Sequence, residues 1–240
     1  MKNIKRRIIT GAVFSACVAV AVIGGAVVSD KAESVPASIM NISEEAPTIV
    51  LDAGHGGADG GCVSANGVPE KGINLSILLR LRDILELNGY KVEVTRDTDT
   101  SIHDKGIEGL ANQKSSDMDN RLEIFNKSKN AVCISIHQNQ FTDPIYSGAQ
   151  MFYSATDSRS EALAKNLQNS FRELIQPNNT REIKLCGKEL FLCYFSENPT
   201  VMVECGFLSN PEEAALLNTE EYQQKVAMTI FKGLTDYLSE

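Results

Sequence analysis

Three apolar blocks, Ile49–Leu51, Ala131–Ile136 and Thr200–Val203, constrain this chain more than any other feature. Each is short, rich in β-branched residues and bounded by polar or glycine residues, which is the pattern of a buried strand. Helical periods fall between and around them. Asn74–Leu87 repeats leucine at 75, 78, 79, 81 and 85 and stops at Asn88-Gly89. Further helices are expected over Asn120–Asn130, Ser158–Leu174, Pro211–Leu217 and Glu220–Leu238, and further strands over Tyr90–Thr95, Ala149–Tyr153 and Glu189–Cys193. Strands alternating with helices predict an α/β domain whose largely parallel sheet is covered on both faces.

In such sheets ligands bind beyond the carboxyl ends of the strands, so the residues just past each block matter. The first runs into TIVLDAGHGG, where glycines leave room beside His55; the second ends at His137; the third ends at Glu204. The chain has three histidines, and two are placed this way. A loop from Ala58 to Gly72 leaves the same edge and carries Glu70 near its end. A carboxylate there can swing back to meet His55 and His137, two nitrogens and one oxygen suited to zinc at about 2.0–2.2 Å. Glu204, not needed as a ligand, is then free to serve as general base. Asp52 and Asp59 are spare ligand candidates, and Asp52 is expected to hold His55 from behind by accepting its other ring proton.

The N-terminus reads differently. Ile8–Val28 is a run of 21 residues without a charge, and about 20 apolar residues span a bilayer as a helix. Lys2, Lys5, Arg6 and Arg7 precede it and Asp30, Lys31 and Glu33 come after it, which places the rest of the chain outside the cytoplasm, anchored or, if the segment is cleaved as a signal, secreted. The division expected is 1–29 basic tail and membrane segment, 30–46 polar linker, 47–240 catalytic domain. The net charge is −8, with +4 inside the first seven residues, so the remainder carries −12. An acidic body argues against nucleic acid as partner.

Taken in order, TIVLDAGHGGADGG, PEKGINLSILLRLRDILELNGYKVEVTRDTD, NRLEIFNKSKNAVCISIHQN and VMVECGFLSNPEEAALL resemble the zinc-dependent N-acetylmuramoyl-L-alanine amidases of the type 3 family, over essentially Pro47–Leu238. The resemblance implies a mixed sheet of about six strands, with zinc ligands at His55, Glu70 and His137 and the catalytic glutamate at Glu204. It implies cleavage of the amide between the lactyl group of muramic acid and L-alanine of the peptidoglycan stem. Within the family the compact form with a membrane-directing N-terminus is most similar to sporulation amidases acting on spore cortex. Gln138-Asn139-Gln140 departs from the family's smaller residues, leaving substrate contacts there open. Thr98–Asp119 is polar and lacks the apolar helix that plugs some division amidases, which points to control by expression or an activator protein. His103, in this segment, is expected to be solvent-exposed.

Rival chemistries are weaker. Five cysteines lie outside the membrane run, without C-x-x-C spacing; Cys133 and Cys193 are expected in strand cores, and Cys205 beside Glu204 could be imagined as a peptidase nucleophile. The glycine turn lacks the Lys-Ser/Thr of a phosphate loop. A silent zinc domain that binds peptidoglycan or scaffolds wall enzymes is also compatible with the sequence, as is a vegetative cell-separation amidase.

Overall fold

The computed structural model describes residues 46–64 and 66–240. The expected N-terminal membrane segment and most of the linker lie outside them, and no helix among the described residues is long and apolar enough to cross a membrane. In chain order the elements are β1 (Thr48–Ala53), α1 (Glu70–Leu87), β2 (Val92–Val94), α2 (Leu110–Asn126), β3 (Ala131–Asn139), β4 (Gln150–Tyr153), α3 (Arg159–Leu174), β5 (Lys184–Leu185), α4 (Phe191–Phe195), β6 (Thr200–Phe207), α5 (Pro211–Leu217) and α6 (Glu220–Leu238).

The three apolar blocks become adjacent strands. The sheet order is β2-β1-β3-β6-β4-β5, parallel throughout except where β4 meets β6. This is the mixed, largely parallel six-stranded α/β sheet expected, with helices on both faces.

Strand alternation sorts the sheet residues into two unequal layers. Ile49, Leu51, Val132, Ile134, Ile136, Val201 and Val203 join the large core formed with α1, α3, α5 and α6. Val50, Ala131 and Cys133 face the other way, into a small core completed by Phe125 of α2 and Leu192 of α4. On this thinner face the strands turn polar toward their carboxyl ends. Asp52, Ser135, His137 and Glu204 continue the alternation begun by Val50, Cys133 and Met202.

The order in which strands are added reverses at β1. The connection through α1 leads to β2 on one side, and that through α2 leads to β3 on the other, with the two helices on opposite faces. Loops diverge at such a switch and leave a crevice at the carboxyl ends. His55 lies just past the apolar part of β1, and His137 ends that of β3.

The boundaries differ from expectation where residues are polar. β3 runs on through His137, Gln138 and Asn139, paired with β6 and interrupted by a register shift between His137 and Asn139. α2 begins at Leu110, ten residues early, because its first turns are exposed and carry little apolar period.

Glu189–Cys193 is not a strand. Phe191–Phe195 forms a short helix, with the two phenylalanine rings 4.9 Å apart one turn from each other. A short apolar run does not reveal its period. The sixth strand is instead the two-residue β5, exposed and without an apolar signature.

Candidate metal centre and active-site cleft

His55, Glu70 and His137 converge at the switch point, each with one ligand-type atom within 4.8 Å of the others'. They are the described residues that could hold a metal ion in this way. Two imidazoles and a carboxylate are a donor set that suits zinc, and the backbone around them is shaped to that cluster. A Cβ at Gly54 would lie 2.1 Å from the His137 ring. A Cβ at Gly61, whose φ is +71°, would lie 2.6 Å from both the Glu70 carboxylate and the His55 ring. His55 itself holds φ of +63°, the sole non-glycine residue among those described with positive φ. That conformation is costly for a residue with a Cβ and persists only where the surroundings impose it.

Glu70 opens α1, where a negative charge suits the helix dipole. Its Oε1 accepts from Gln138 N at 2.9 Å and Asn74 Nδ2 at 3.0 Å and lies 2.9 Å from His137 Nδ1. Its Oε2 accepts from Cys62 N at 3.0 Å and lies 3.3 Å from His55 Nε2. Burial pushes this carboxyl up, but the hydrogen bonds and charges of His137 and His55 outweigh it and hold it well below the usual carboxylate range. Burial likewise lowers His137, and Glu70 with Glu204 and Asp52 more than reverses that. The groups that would surround a cation are thus already set as an ionised carboxylate among nitrogens.

Glu204 stands opposite His137 in the β3–β6 register. Its Oε2 is closed off from solvent and has no hydrogen-bond partner. Burial, with the Glu70 charge adding to it and His137 opposing, brings its pKa to about 7. A carboxyl poised there can take up and release a proton near neutrality. The cleft in front of it has a volume of about 200 Å³. Asp52, His55, His137 and Glu204 line the sheet side, with Lys114, Met118 and Arg121 of α2 and Phe191 and Leu192 of α4 opposite.

Asp52 does not hold His55. On a fully buried strand it accepts from Thr95 Oγ1 at 2.7 Å, Ser135 Oγ at 2.6 Å and Arg121 Nη1 at 2.5 Å. Burial alone would raise this carboxyl; Arg121, with the other contacts, brings it below its ordinary value. Sequence closeness misled here because a strand side chain stands roughly perpendicular to the sheet, not toward the loop beyond the strand.

Asp59, a spare ligand candidate, instead stands behind His55. Its Oδ2 lies 3.0 Å from His55 Nδ1, without the alignment of a hydrogen bond. Lys114 Nζ stands 3.1 Å from the same oxygen. Desolvation opposes ionisation of Asp59, yet His55 and Lys114 lower its pKa to about 2.

Two arginines without a role in the sequence pattern hold the glycine turn. Arg121, 1% exposed, donates to Asp52, to Ala53 O and His55 O at 2.8 Å each, and to Asp117 at 2.7 Å. Arg96, 3% exposed, donates to Ala53 O, Gly54 O and Lys71 O. A signal existed for Arg121: it shares a helix face with Asp117 and Phe125, four residues to either side, and that face is buried. Arg96 comes after a strand end in a polar stretch and offers no such pattern.

His103 is half-buried rather than exposed, its Nδ1 2.8 Å from Ser101 Oγ, which in turn donates to Asp117. Cys205 points into the large core, away from Glu204, and burial pushes its thiol up. A nucleophilic thiolate needs the opposite environment. The five cysteines of the described residues are free thiols.

Fold and site together define an α/β domain with a cluster of two histidines and a carboxylate at the switch point, facing a fourth ionisable group. Comparison with known proteins gives the family: the sequence model of the N-acetylmuramoyl-L-alanine amidases matches residues 49–236, and the chain belongs to that family. It is 38% identical over 195 residues to the germination-specific N-acetylmuramoyl-L-alanine amidase of Bacillus subtilis (strain 168), covering 80% of each. It is 29% identical over 231 residues to the amidase AmiA of Escherichia coli (strain K12), covering 79% of this chain and 75% of the other. Among solved structures, the CwlD amidase of Clostridioides difficile, in complex with the GerS lipoprotein, superposes with a TM-score of 0.77. Its identity is 38%, and the match covers 80% of this chain and 98% of that one.

Proposed function

We propose that this chain hydrolyses the amide between the lactyl group of N-acetylmuramic acid and L-alanine of the peptidoglycan stem, with His55, Glu70 and His137 as zinc ligands and Glu204 as the proton-transfer group. Zinc, when bound, supplies Lewis acidity to the scissile carbonyl and to the attacking water. The protein does the rest. Gly54 and Gly61 leave the ligand side chains their space, Arg121 and Arg96 fix the turn that carries His55, and Asp59 faces the other ring nitrogen of His55. Glu204 takes the proton from water as the new C–O bond forms and returns it to the departing alanine nitrogen as the C–N bond breaks.

The observation that carries this reading is Glu204 itself, an unpartnered carboxyl oxygen with a pKa of about 7, directly across the sheet from His137. Replacing Glu204 with Gln should leave stoichiometric zinc in the purified protein while turnover falls by about 10²–10⁴-fold, the usual contribution of acid–base catalysis. Loss of zinc from that variant would make Glu204 a ligand and sink the assignment.

The likeness to the germination-specific amidase supports work on spore-cortex peptidoglycan. The complex of the Clostridioides difficile amidase with a lipoprotein supports a protein partner for this chain, in the role of activator. Residues 1–29 are read as the segment that takes the chain across the membrane, 30–46 as a linker and 47–240 as the catalytic domain, which puts the site outside the cytoplasm.

A further inference from the structure

Arg181 is the guanidinium on the other flank of Glu204. Gln150, which pairs with Glu204 across β4 and β6, accepts from Arg181 Nη2 at 2.7 Å. The guanidinium carbon lies 4.7 Å from the centroid of the Phe207 ring, three residues beyond Glu204. The ring contact and one hydrogen bond hold it beside the strand residue paired with Glu204, and its charge is felt by the Glu204 carboxyl.

The remaining donors are unused. Nε is closed off without a partner, and Nη1 makes no hydrogen bond among the described residues. No carboxylate of the described residues lies within ion-pair distance of Arg181, whereas Arg121 has two and Arg172 one. The nearby Glu213 is committed to the backbone, accepting from Gly148 N at 2.8 Å and Phe207 N at 2.7 Å. A half-buried, held guanidinium with Nη1 unused, one strand from Glu204, is suited to a carboxylate from outside the protein.

We propose that Arg181 is a specificity-determining residue that binds the free carboxylate of the stem residue next after L-alanine. This rests on the amidase reading. In a stem whose second residue is joined through its side-chain carboxyl, the α-carboxylate is left free one residue beyond the scissile bond. Arg181 reads that group, so the enzyme distinguishes a free carboxylate from its amide.

The test is steady-state kinetics of the zinc-loaded full chain on two soluble muropeptides that differ only in whether that carboxylate is free or amidated. Wild type should favour the free acid by about 10- to 100-fold in kcat/KM, the range of one charge-assisted contact. Arg181→Met, which keeps the packing on Phe207, should cleave both substrates at the rate of the amide, with zinc content and unfolding midpoint unchanged. Arg181→Lys should restore part of the preference. Equal rates on the two substrates in wild type would overturn the subsite and leave the amidase reading intact. So would an Arg181→Met variant that slows both substrates equally. A wild type inert on both would overturn the amidase reading and the subsite with it.

Discussion

Asp52 and Arg121 form the least exposed ion pair of the described residues, each side chain 1% accessible. Removing one partner of such a pair strands the other charge, at a cost of about 3–5 kcal/mol. Arg121→Met should therefore lower unfolding stability by about that amount in denaturant titration; a change under about 1 kcal/mol would show that the pair is not what holds the turn. The sign of the pH effect comes from the depressed Asp52 carboxyl. Its stabilisation is present above the ordinary value of 3.8 and is lost as pH falls through the lower folded value.

Glu204 works the other way. Its folded value near 7 lies above the ordinary 4.5, so the metal-free protein loses stability as pH rises between those two values. Glu204→Gln should raise the stability of metal-free protein at pH 8 by on the order of 1–3 kcal/mol and change little at pH 4. A thermal melt that shows no gain at pH 8 would contradict the buried, unpartnered state of this carboxyl. His55, Glu70, His137 and Glu204 are legible in the sequence because each closes an apolar strand or the loop returning to it. The contacts of Asp52 and Arg96 are not, since Asp52 meets Thr95, Arg121 and Ser135 at 43 to 83 residues' separation and Arg96 meets Gly54 at 42, and only the folded turn brings them together.

The inner strands β1, β3 and β6 can be read from the sequence because burial on both faces demands unbroken apolar runs. β5 and α4 cannot, being two and five residues long. The helices differ in how firmly they are held. α1 packs Ile73, Ile77, Leu78, Leu81 and Leu85 into the large core, whereas α2 contributes Phe125 as its fully buried apolar side chain to the small one. Local opening tracks the loss of buried apolar contact. Amide hydrogen exchange in α2, particularly its exposed first turns, should be faster than in α1. Equal protection of the two helices would show that the polar ties from Asp117 and Arg121 anchor α2 as firmly as a core does.

At the scale of the molecule, one layer is thick and apolar and gives stability, while the thinner layer gives up apolar packing at the strand ends for a buried polar site. The reversal of strand order at β1 explains why the site lies there rather than at another edge. The bond cleaved and its dependence on metal are tested together by mass spectrometry of fragments released from purified peptidoglycan by the protein, with zinc added and with a chelator. Free stem peptides beginning at L-alanine, beside glycan with intact lactyl groups and only when zinc is available, are the predicted result. Cleavage within the peptide, or release that persists under chelation, would contradict the account.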